Sequence, residues 1–443
     1  MEEKQNSVLE DYGAEPVPDE KRKGWFGIGI VYWGIAVCLP AFLISGLIAG
    51  PTKLGTAILA FVIGAAVLAI VAILTGIIGA RTKLSTALSA NYTFGKYGAY
   101  ILQIVLFFAA WGWFGVQLGF MADGLGGGGL AFVTGGRMPV WSIKIIGGIL
   151  MTLTAMFGFK AIEKLSIVAI PMLLLALLGT IFSLYKGDAS LAQAAATTGE
   201  GAMPFGIATS IVIGSFILGA IISSDITRYA KSRSAAGIGM GFGMFIGFPV
   251  VMVLAAIMVK GAGGEVDFSK VMLANSSVLW TVIAILAIIL AAWTTNDNNL
   301  YSGALSINAM FPKFKKWIIT VISGVIGTVL ALLGINTSAG FQTFLSLLAI
   351  FIPPAAAVMI IDYYFFKGER NRAYNSGELS NVVKFRVIPF VVWVAGIAFG
   401  FIVQYTKARI TTITAVDTII VAAVIYFIVM AATGHKITTK AEG

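Results

Sequence analysis

Residues 293 to 299 read Trp-Thr-Thr-Asn-Asp-Asn-Asn, six consecutive polar side chains after a tryptophan. Wholly aliphatic Ile283 to Ala292 precede them, and the mostly apolar stretch Leu300 to Met310 follows. At membrane depth such a run is costly without partners or water, so it predicts a site or a pathway. On a helix, residues three and four apart share a face. The Ala291 carbonyl therefore lies beside the hydroxyls of Thr294 and Thr295. Together they form an uncharged, all-oxygen half-site that suits a hard cation such as Na⁺. Carbonyls released by a break in the first helix, such as those of Gly34 and Val37, would complete it. The alternative is that both threonines bond back onto their own helix.

A second constellation lies at Trp111-Gly-Trp-Phe114 and Gln117. Trp113 and Gln117 are four apart, so a flat ring and an amide can meet one ligand. An aromatic wall with a few polar groups suits a planar heterocycle. Phe216 is the candidate opposite wall, with Ser215 and Asn296 as further polar contacts. The competing reading is an interfacial aromatic belt. Asp225 and Arg228, three apart, read as a structural or gating ion pair. Asp297 is either a proton relay or a member of a helix–helix network.

Membrane helices must position these groups. The chain has 443 residues, is 58% hydrophobic and only 11% charged, and has a mean hydropathy of +0.93. Soluble domains carry about 25% charged residues. Windows near the ~20 apolar residues that cross the hydrocarbon core predict twelve spans. They fall near 25–49, 56–79, 98–123, 138–158, 162–184, 205–224, 235–259, 274–304, 316–335, 341–365, 386–405 and 411–432. Residues 1–24 and 433–443 are polar tails, so 25–432 reads as one membrane domain. Most of the 30 basic residues fall in tails and in loops on one side. By the positive-inside rule both termini are cytoplasmic, in the plasma (inner) membrane. The charge of +10 is thereby read as orientation, not nucleic-acid binding.

The single cysteine, Cys38, excludes an intrachain disulfide, and the only histidine, His435, lies in the second tail. An enzyme would need a nucleophile–base pair or metal ligands, which this composition does not offer. The expectation is no enzyme, no cofactor beyond a coupling ion, and no obligate protein partner beyond the lipid bilayer. Gly34 to Pro40 in the first helix and Gly214 to Gly219 in the sixth predict interrupted centres at matching places in two halves, a pointer to a midplane binding site. Ile352-Pro353-Pro354 in the tenth predicts a kink or a tolerated irregularity. Gly124 to Gly129, 183–203 and Lys367 to Lys384 read as connections.

These residues resemble the nucleobase–cation symporter-1 family, most closely its cytosine-permease branch. The resemblance is carried by Pro16-Val-Pro with Arg22-Lys-Gly24, by Gly112-Trp-Phe-Gly-Val116, and by Gly214-Ser-Phe-Ile217 with Ser224-Asp225 and Arg228. Further matches are Trp293-Thr-Thr-Asn-Asp-Asn298 with Leu300-Tyr301, Ser323 with Gly327-Thr328, and Ile352-Pro-Pro354. It implies an all-α, leucine-transporter-type fold. Two inverted five-helix repeats, about 25–185 and 205–365, would be followed by two peripheral helices over about 386–432. It also implies a substrate ring between Trp113 and Phe216, and a Na⁺ site at Gly34, Val37, Ala291, Thr294 and Thr295. Two positions depart from the pattern. Typical cytosine permeases carry glutamine where this chain has Ala110 and asparagine where it has Ala291. The backbone carbonyl at 291 survives that exchange, whereas two base-reading amides are lost. The expected function is Na⁺-coupled import of a small planar nitrogen heterocycle. The alternatives are proton coupling on the same fold, or transport of an amino acid or amine.

Overall fold

The computed structural model describes residues 12, 15–126, 138–186, 191–198, 202–274, 277–367, 378–379, 382–406, 408–411 and 413–433. His435 and the rest of the second tail lie outside the described residues. So do most of the first tail up to residue 14, Gly127 to Gly129, and parts of the connections at 183–203 and Lys367–Lys384.

Helices run in the order α1 (Trp25–Ala36), α2 (Leu39–Ala49), α3 (Leu54–Thr82), α4 (Thr86–Phe94), α5 (Lys96–Gly124), α6 (Val140–Ala155), α7 (Phe159–Leu184) and α8 (Leu191–Ala196). They continue with α9 (Phe205–Ile221), α10 (Ser224–Thr227), α11 (Arg233–Met240), α12 (Phe248–Gly261), α13 (Phe268–Leu273), α14 (Val278–Met310), α15 (Lys316–Leu332), α16 (Ser338–Ile361), α17 (Val387–Tyr405) and α18 (Thr414–Ala432). A π-helical turn, Gly241–Gly247, joins α11 to α12 without a break. Among the described residues nine helices are long and apolar enough to cross a bilayer. The pair α1–α2, bent by 60°, makes a tenth, and α6 and α15 are shorter apolar helices. In chain order these are consistent with the twelve expected spans.

Small residues set how closely the spans approach, as expected where lipid removes the hydrophobic drive between helices. A Cβ at Gly64 of α3 would lie 2.5 Å from the Val212 side chain of α9, and one at Gly327 of α15 would lie 2.4 Å from the Phe114 ring of α5. The π turn brings Gly243 against Tyr32 and Gly247 against Trp33, seating α1 in a glycine-lined groove. At the far end of the chain, Arg386 bonds both Asp362 carboxylate oxygens, at 2.7 and 3.0 Å, and Tyr426 donates to the same carboxylate at 2.6 Å. That cluster ties α17 and α18 to the end of α16.

The interruption expected in the sixth span is corrected. α9 runs unbroken through Gly214 and Gly219, and the sixth span breaks at Ile222–Ser223. Glycine lowers helix propensity without removing a ladder bond. The ladder ends where the amides of Asp225 and Ile226 turn to carbonyls only three residues back. α16 continues through Pro353 and Pro354, the tolerated irregularity of the two readings. Pro354 packs against α17, where a Cβ at Gly396 would lie 2.5 Å away.

Candidate functional site

The break between α1 and α2 is the organising feature. Pro40 is the second residue of α2, where a missing amide costs nothing. The Cys38 amide bonds the Ala36 carbonyl instead of continuing the α1 ladder. The carbonyls of Gly34 and Ile35 thus lose their helical donors. They are taken by α14: Thr294 Oγ1 donates to the Gly34 carbonyl at 3.0 Å, and Thr295 Oγ1 to the Ile35 carbonyl at 3.1 Å. The same hydroxyls lie 3.0 Å from the Leu290 carbonyl and 3.3 Å from that of Ala291. The back-bonding reading of the threonines is therefore present, together with contacts to α1. Gly34, Ala291, Thr294 and Thr295 converge as expected. The Ile35 carbonyl joins them, and the Val37 carbonyl makes no described bond to α14. Gly34 is sterically required, since a Cβ there would lie 2.3 Å from Ser166 Oγ of α7.

These carbonyls and hydroxyls form a neutral donor set of hard oxygens, which fits a monovalent cation such as Na⁺ better than a thiophilic metal. Among the described residues no group of three or more His, Cys, Asp or Glu side chains gathers as a metal site.

Beside this junction is a cavity of about 30 Å³ lined by Ile35, Cys38, Trp113, Gln117, Ser215, Phe216, Leu218, Gly219, Ile222, Thr295, Asn298 and Asn299. Trp113 is held edge-on by Phe341 and Phe344 of α16, with ring centroids 6.1 and 5.5 Å away. Phe216 lies over Gly219, where a Cβ would be 2.3 Å from its ring, and packs edge-on to Tyr32 at 6.4 Å. The Tyr32 hydroxyl donates to the Gly219 carbonyl, which the nearby helix break leaves available.

Gln117 is fully buried, and neither of its amide atoms meets a nitrogen or oxygen partner among the described residues. The Cys38 thiol is its neighbour. Asn298 Oδ1 is likewise without a partner. Ser215 bonds back to the Val212 carbonyl at 2.7 Å.

Other expected residues lie elsewhere. Ala110 is absent from the cavity wall and packs where a Cβ at Gly303 of α14 would come within 3.0 Å of its methyl. Asn296 turns away from the cavity. Its Nδ2 donates to the Phe114 carbonyl at 3.2 Å, and its Oδ1 accepts from Asn299 at 3.1 Å. The reason is helical phase: Thr295, Asn298 and Asn299 share a face that excludes Asn296. That spacing, applied to Thr295, would have singled out the two asparagines from sequence.

The expected Asp225–Arg228 ion pair is not a side-chain pair. Arg228 Nε donates to the Asp225 carbonyl at 3.2 Å, whereas Asp225 Oδ1 accepts from the Thr86 amide at 2.8 Å. A carboxylate at the first turn of α4 satisfies an amide that the helix itself leaves free. Asp297 accepts from Thr154 Oγ1 of α6 at 2.6 Å, and Trp293 Nε1 donates to the same hydroxyl at 2.7 Å. This is the helix–helix network of the two earlier readings.

At the start of α1, Lys23 Nζ pairs with Glu163 of α7 at 2.7 Å, and its backbone pairs with Tyr229 and Lys231. In the segment before it, hydrogen bonds from Lys83 and then Arg22 hold the Asp19 carboxyl below the usual range.

A helix broken at a buried aromatic cavity, with its freed carbonyls facing hydroxyls on a second helix, defines the class of multi-pass secondary permeases. A sequence profile of the permeases for cytosine/purines, uracil, thiamine and allantoin matches residues 16–428. The chain belongs to that family, the nucleobase–cation symporter-1 family. It is 29% identical over 392 residues to the cytosine permease of Escherichia coli (strain K12), covering 88% of each chain. It is 24% identical to the hydantoin permease of Microbacterium maritypicum, covering 83% of this chain and 78% of that one. Among solved structures it is similar to a nucleobase–cation-symport-1 transporter in a closed conformation with bromovinylhydantoin bound. The TM-score is 0.77 at 21% identity, over 96% of both chains. A Na⁺-coupled sialic acid symporter in an outward-open state matches at TM-score 0.70 and 10% identity, over 97% of this chain and 92% of that one. The fold is accordingly the all-α, leucine-transporter type, with inverted repeats and two peripheral helices.

Proposed function

We propose that this permease imports a small, planar nitrogen heterocycle by Na⁺-coupled symport with alternating access. The observation that carries the reading is one junction. The cavity between Trp113 and Phe216 opens at the same α1–α2 break whose Gly34 and Ile35 carbonyls meet Thr294 and Thr295. The ring stacks between the two aromatics. Gln117, Asn298 and Asn299 read its edge, and Ser215 adds a hydroxyl. The ion sits at the shared break, so its binding orders one wall of the substrate cavity. That gives each ligand a differential affinity for the same state, which coupling requires.

Substrate entry requires Trp113 and Phe216 to part, since the cavity between them is only about 30 Å³. The repeats occupy about 25–185 and 205–365. The chain lies in the plasma membrane with both termini cytoplasmic, in keeping with its loop charges. An amino-acid substrate is disfavoured because its carboxylate would seek free amides at the start of α2, and Pro40 removes one of them.

Thermal shift of the purified chain against heterocycles and amino acids, with and without sodium at each of several pH values, tests this reading. Ligands that bind the folded state raise its apparent stability. A heterocycle shift that grows with sodium is expected. A shift that ignores sodium and follows pH would replace Na⁺ by H⁺, and stabilisation by amino acids alone would overturn the substrate class.

A further inference from the structure

One face of α14 carries Thr295, Asn299, Ser302 and Ser306, at intervals of four, three and four, and all four are buried. Thr295 belongs to the ion junction and Asn299 to the cavity. The stripe then continues toward α10 and α4, the side opposite the outer half-helix α2. Ser302 lies seven residues beyond Thr295, about 10 Å along the helix axis.

Here the hydroxyls depart from the habit of the rest of the bundle. Ser306 bonds back to the Ser302 carbonyl at 3.0 Å, and Thr82 to the Ile78 carbonyl at 2.9 Å. That is how buried membrane hydroxyls are normally satisfied. Ser302 Oγ and Thr86 Oγ1 do not reach full hydrogen-bond geometry with any described partner, and both face the Asp225 carboxylate. Thr93 Oγ1 and Gln103 Oε1, beyond them on α4 and α5, are also buried without described partners.

Among the described contacts the carboxylate makes no side-chain ion pair, although the Arg228 charge lies near it. Arg228, the neighbouring cation, directs its Nε to a backbone carbonyl. Its terminal nitrogens go to the Tyr12 carbonyl and the hydroxyls of Tyr229 and Tyr301. Asp225 is thus a buried carboxyl group, 3% exposed, with two hydroxyls facing it. A buried charge persists when a counter-charge is supplied. A hard monovalent cation suits this oxygen set.

We infer that Asp225, Ser302 and Thr86 form an inner station for the coupling cation, through which Na⁺ leaves the Thr294–Thr295 junction toward the cytoplasm. This rests on the Na⁺-coupled reading above. The outer junction is neutral and the inner station is charged, so an ion released from the first is drawn to the second. The unsatisfied polar groups of α4 and α5 lie on its way out.

Net uptake requires sodium to leave on the inside, whereas exchange with saturating sodium on both faces does not. The full chain is reconstituted in proteoliposomes with cytosine and hydantoin as probes, and the sodium stimulation of the unmodified chain is measured first. Asp225→Asn and Ser302→Ala are expected to lower the ratio of net uptake to exchange about tenfold, the scale of losing part of a buried charge site. Asp225→Glu, which keeps the charge, restores part of it. Ser302→Ala leaves the Thr86 amide bonded and guards against mere unfolding of α4. A ratio within about twofold of the unmodified chain in both variants would overturn the station alone. So would a parallel fall of exchange and net uptake, which marks a structural defect. Absence of sodium stimulation in the unmodified chain would overturn the coupling reading and the station together.

Discussion

The Thr294 hydroxyl of α14 donates across 3.0 Å to the Gly34 carbonyl of α1, an oxygen released by the break at Val37–Cys38. Residues 260 positions apart are joined through a backbone group that only an interrupted helix makes available. In the proposed mechanism this relation puts the coupling ion and one wall of the substrate cavity on the same irregular turn. A ligand at either place constrains the other.

Removing the hydroxyls should therefore weaken sodium binding without dismantling the fold. Thr294→Ala with Thr295→Ala leaves the Gly34, Ile35 and Ala291 carbonyls in place and deletes two oxygens. Each such contact is worth about 1 kcal/mol, so the sodium concentration for half-maximal uptake should rise about tenfold or more. Uptake titrated against sodium at saturating substrate measures it. An unchanged midpoint would move the ion elsewhere.

Trp113 should matter to the substrate alone. It lines the cavity and is braced by Phe341 and Phe344, so its face is presented in a fixed orientation. Stacking on an aromatic is worth roughly 1–3 kcal/mol per base. Trp113→Ala should abolish saturable uptake at micromolar substrate while the protein still inserts. Trp113→Phe should recover part of it. Undiminished uptake by the alanine variant, with normal membrane levels, rules out the stacking geometry.

The sequence pointed to the ion junction more surely than to the substrate cavity, and helix phase explains why. Ala291, Thr294 and Thr295 are related by one turn, so their convergence could be read directly. Their partners on α1 could only be placed near the break, where the Ile35 carbonyl joins that of Gly34. Asn296 was singled out by its position in the polar run, yet its side chain points to Phe114 and Asn299. Composition gives no phase between helices. The break in the sixth span was misplaced for a related reason: glycines mark where a backbone can approach closely, whereas this break is made by the change of ladder at Ser223. The Asp225–Arg228 pair failed because a three-residue spacing permits a contact without choosing between side chain and backbone.

Two glycines of α9 offer a matched comparison. A methyl at Gly219 would lie 2.3 Å from the Phe216 ring, whereas one at Gly214 meets nothing within 4 Å. Alanine at an unhindered helical position stabilises by about 1 kcal/mol relative to glycine. Gly214→Ala should therefore raise thermal stability slightly. Gly219→Ala should force the Phe216 ring aside and raise the substrate concentration for half-maximal uptake several-fold at similar protein levels. Equal behaviour of the two variants would mean that Phe216 does not form the cavity wall.

Asp297 lies in the same polar run as the ion threonines, but its contacts lead the opposite way. Thr154 donates to its Oδ1, Trp293 donates to Thr154, and all three sit on the α6–α14 contact. A proton relay would need an ionisable group at this place, whereas a packing network needs only an acceptor of the same shape. Asn supplies that acceptor and cannot carry a proton. Asp297→Asn should thus retain sodium-driven uptake within about twofold and keep its pH profile. Asp297→Leu deletes the acceptor across the α6–α14 contact and leaves the Thr154 hydroxyl only own-helix carbonyls, that of Met151 at 3.0 Å, and a lost hydrogen bond to a charged group costs about 1.5–3 kcal/mol. Its signature should be a lowered melting temperature and reduced protein in the membrane, with residual uptake per molecule preserved. Loss of uptake in the asparagine variant, at normal stability, would return Asp297 to the transport pathway.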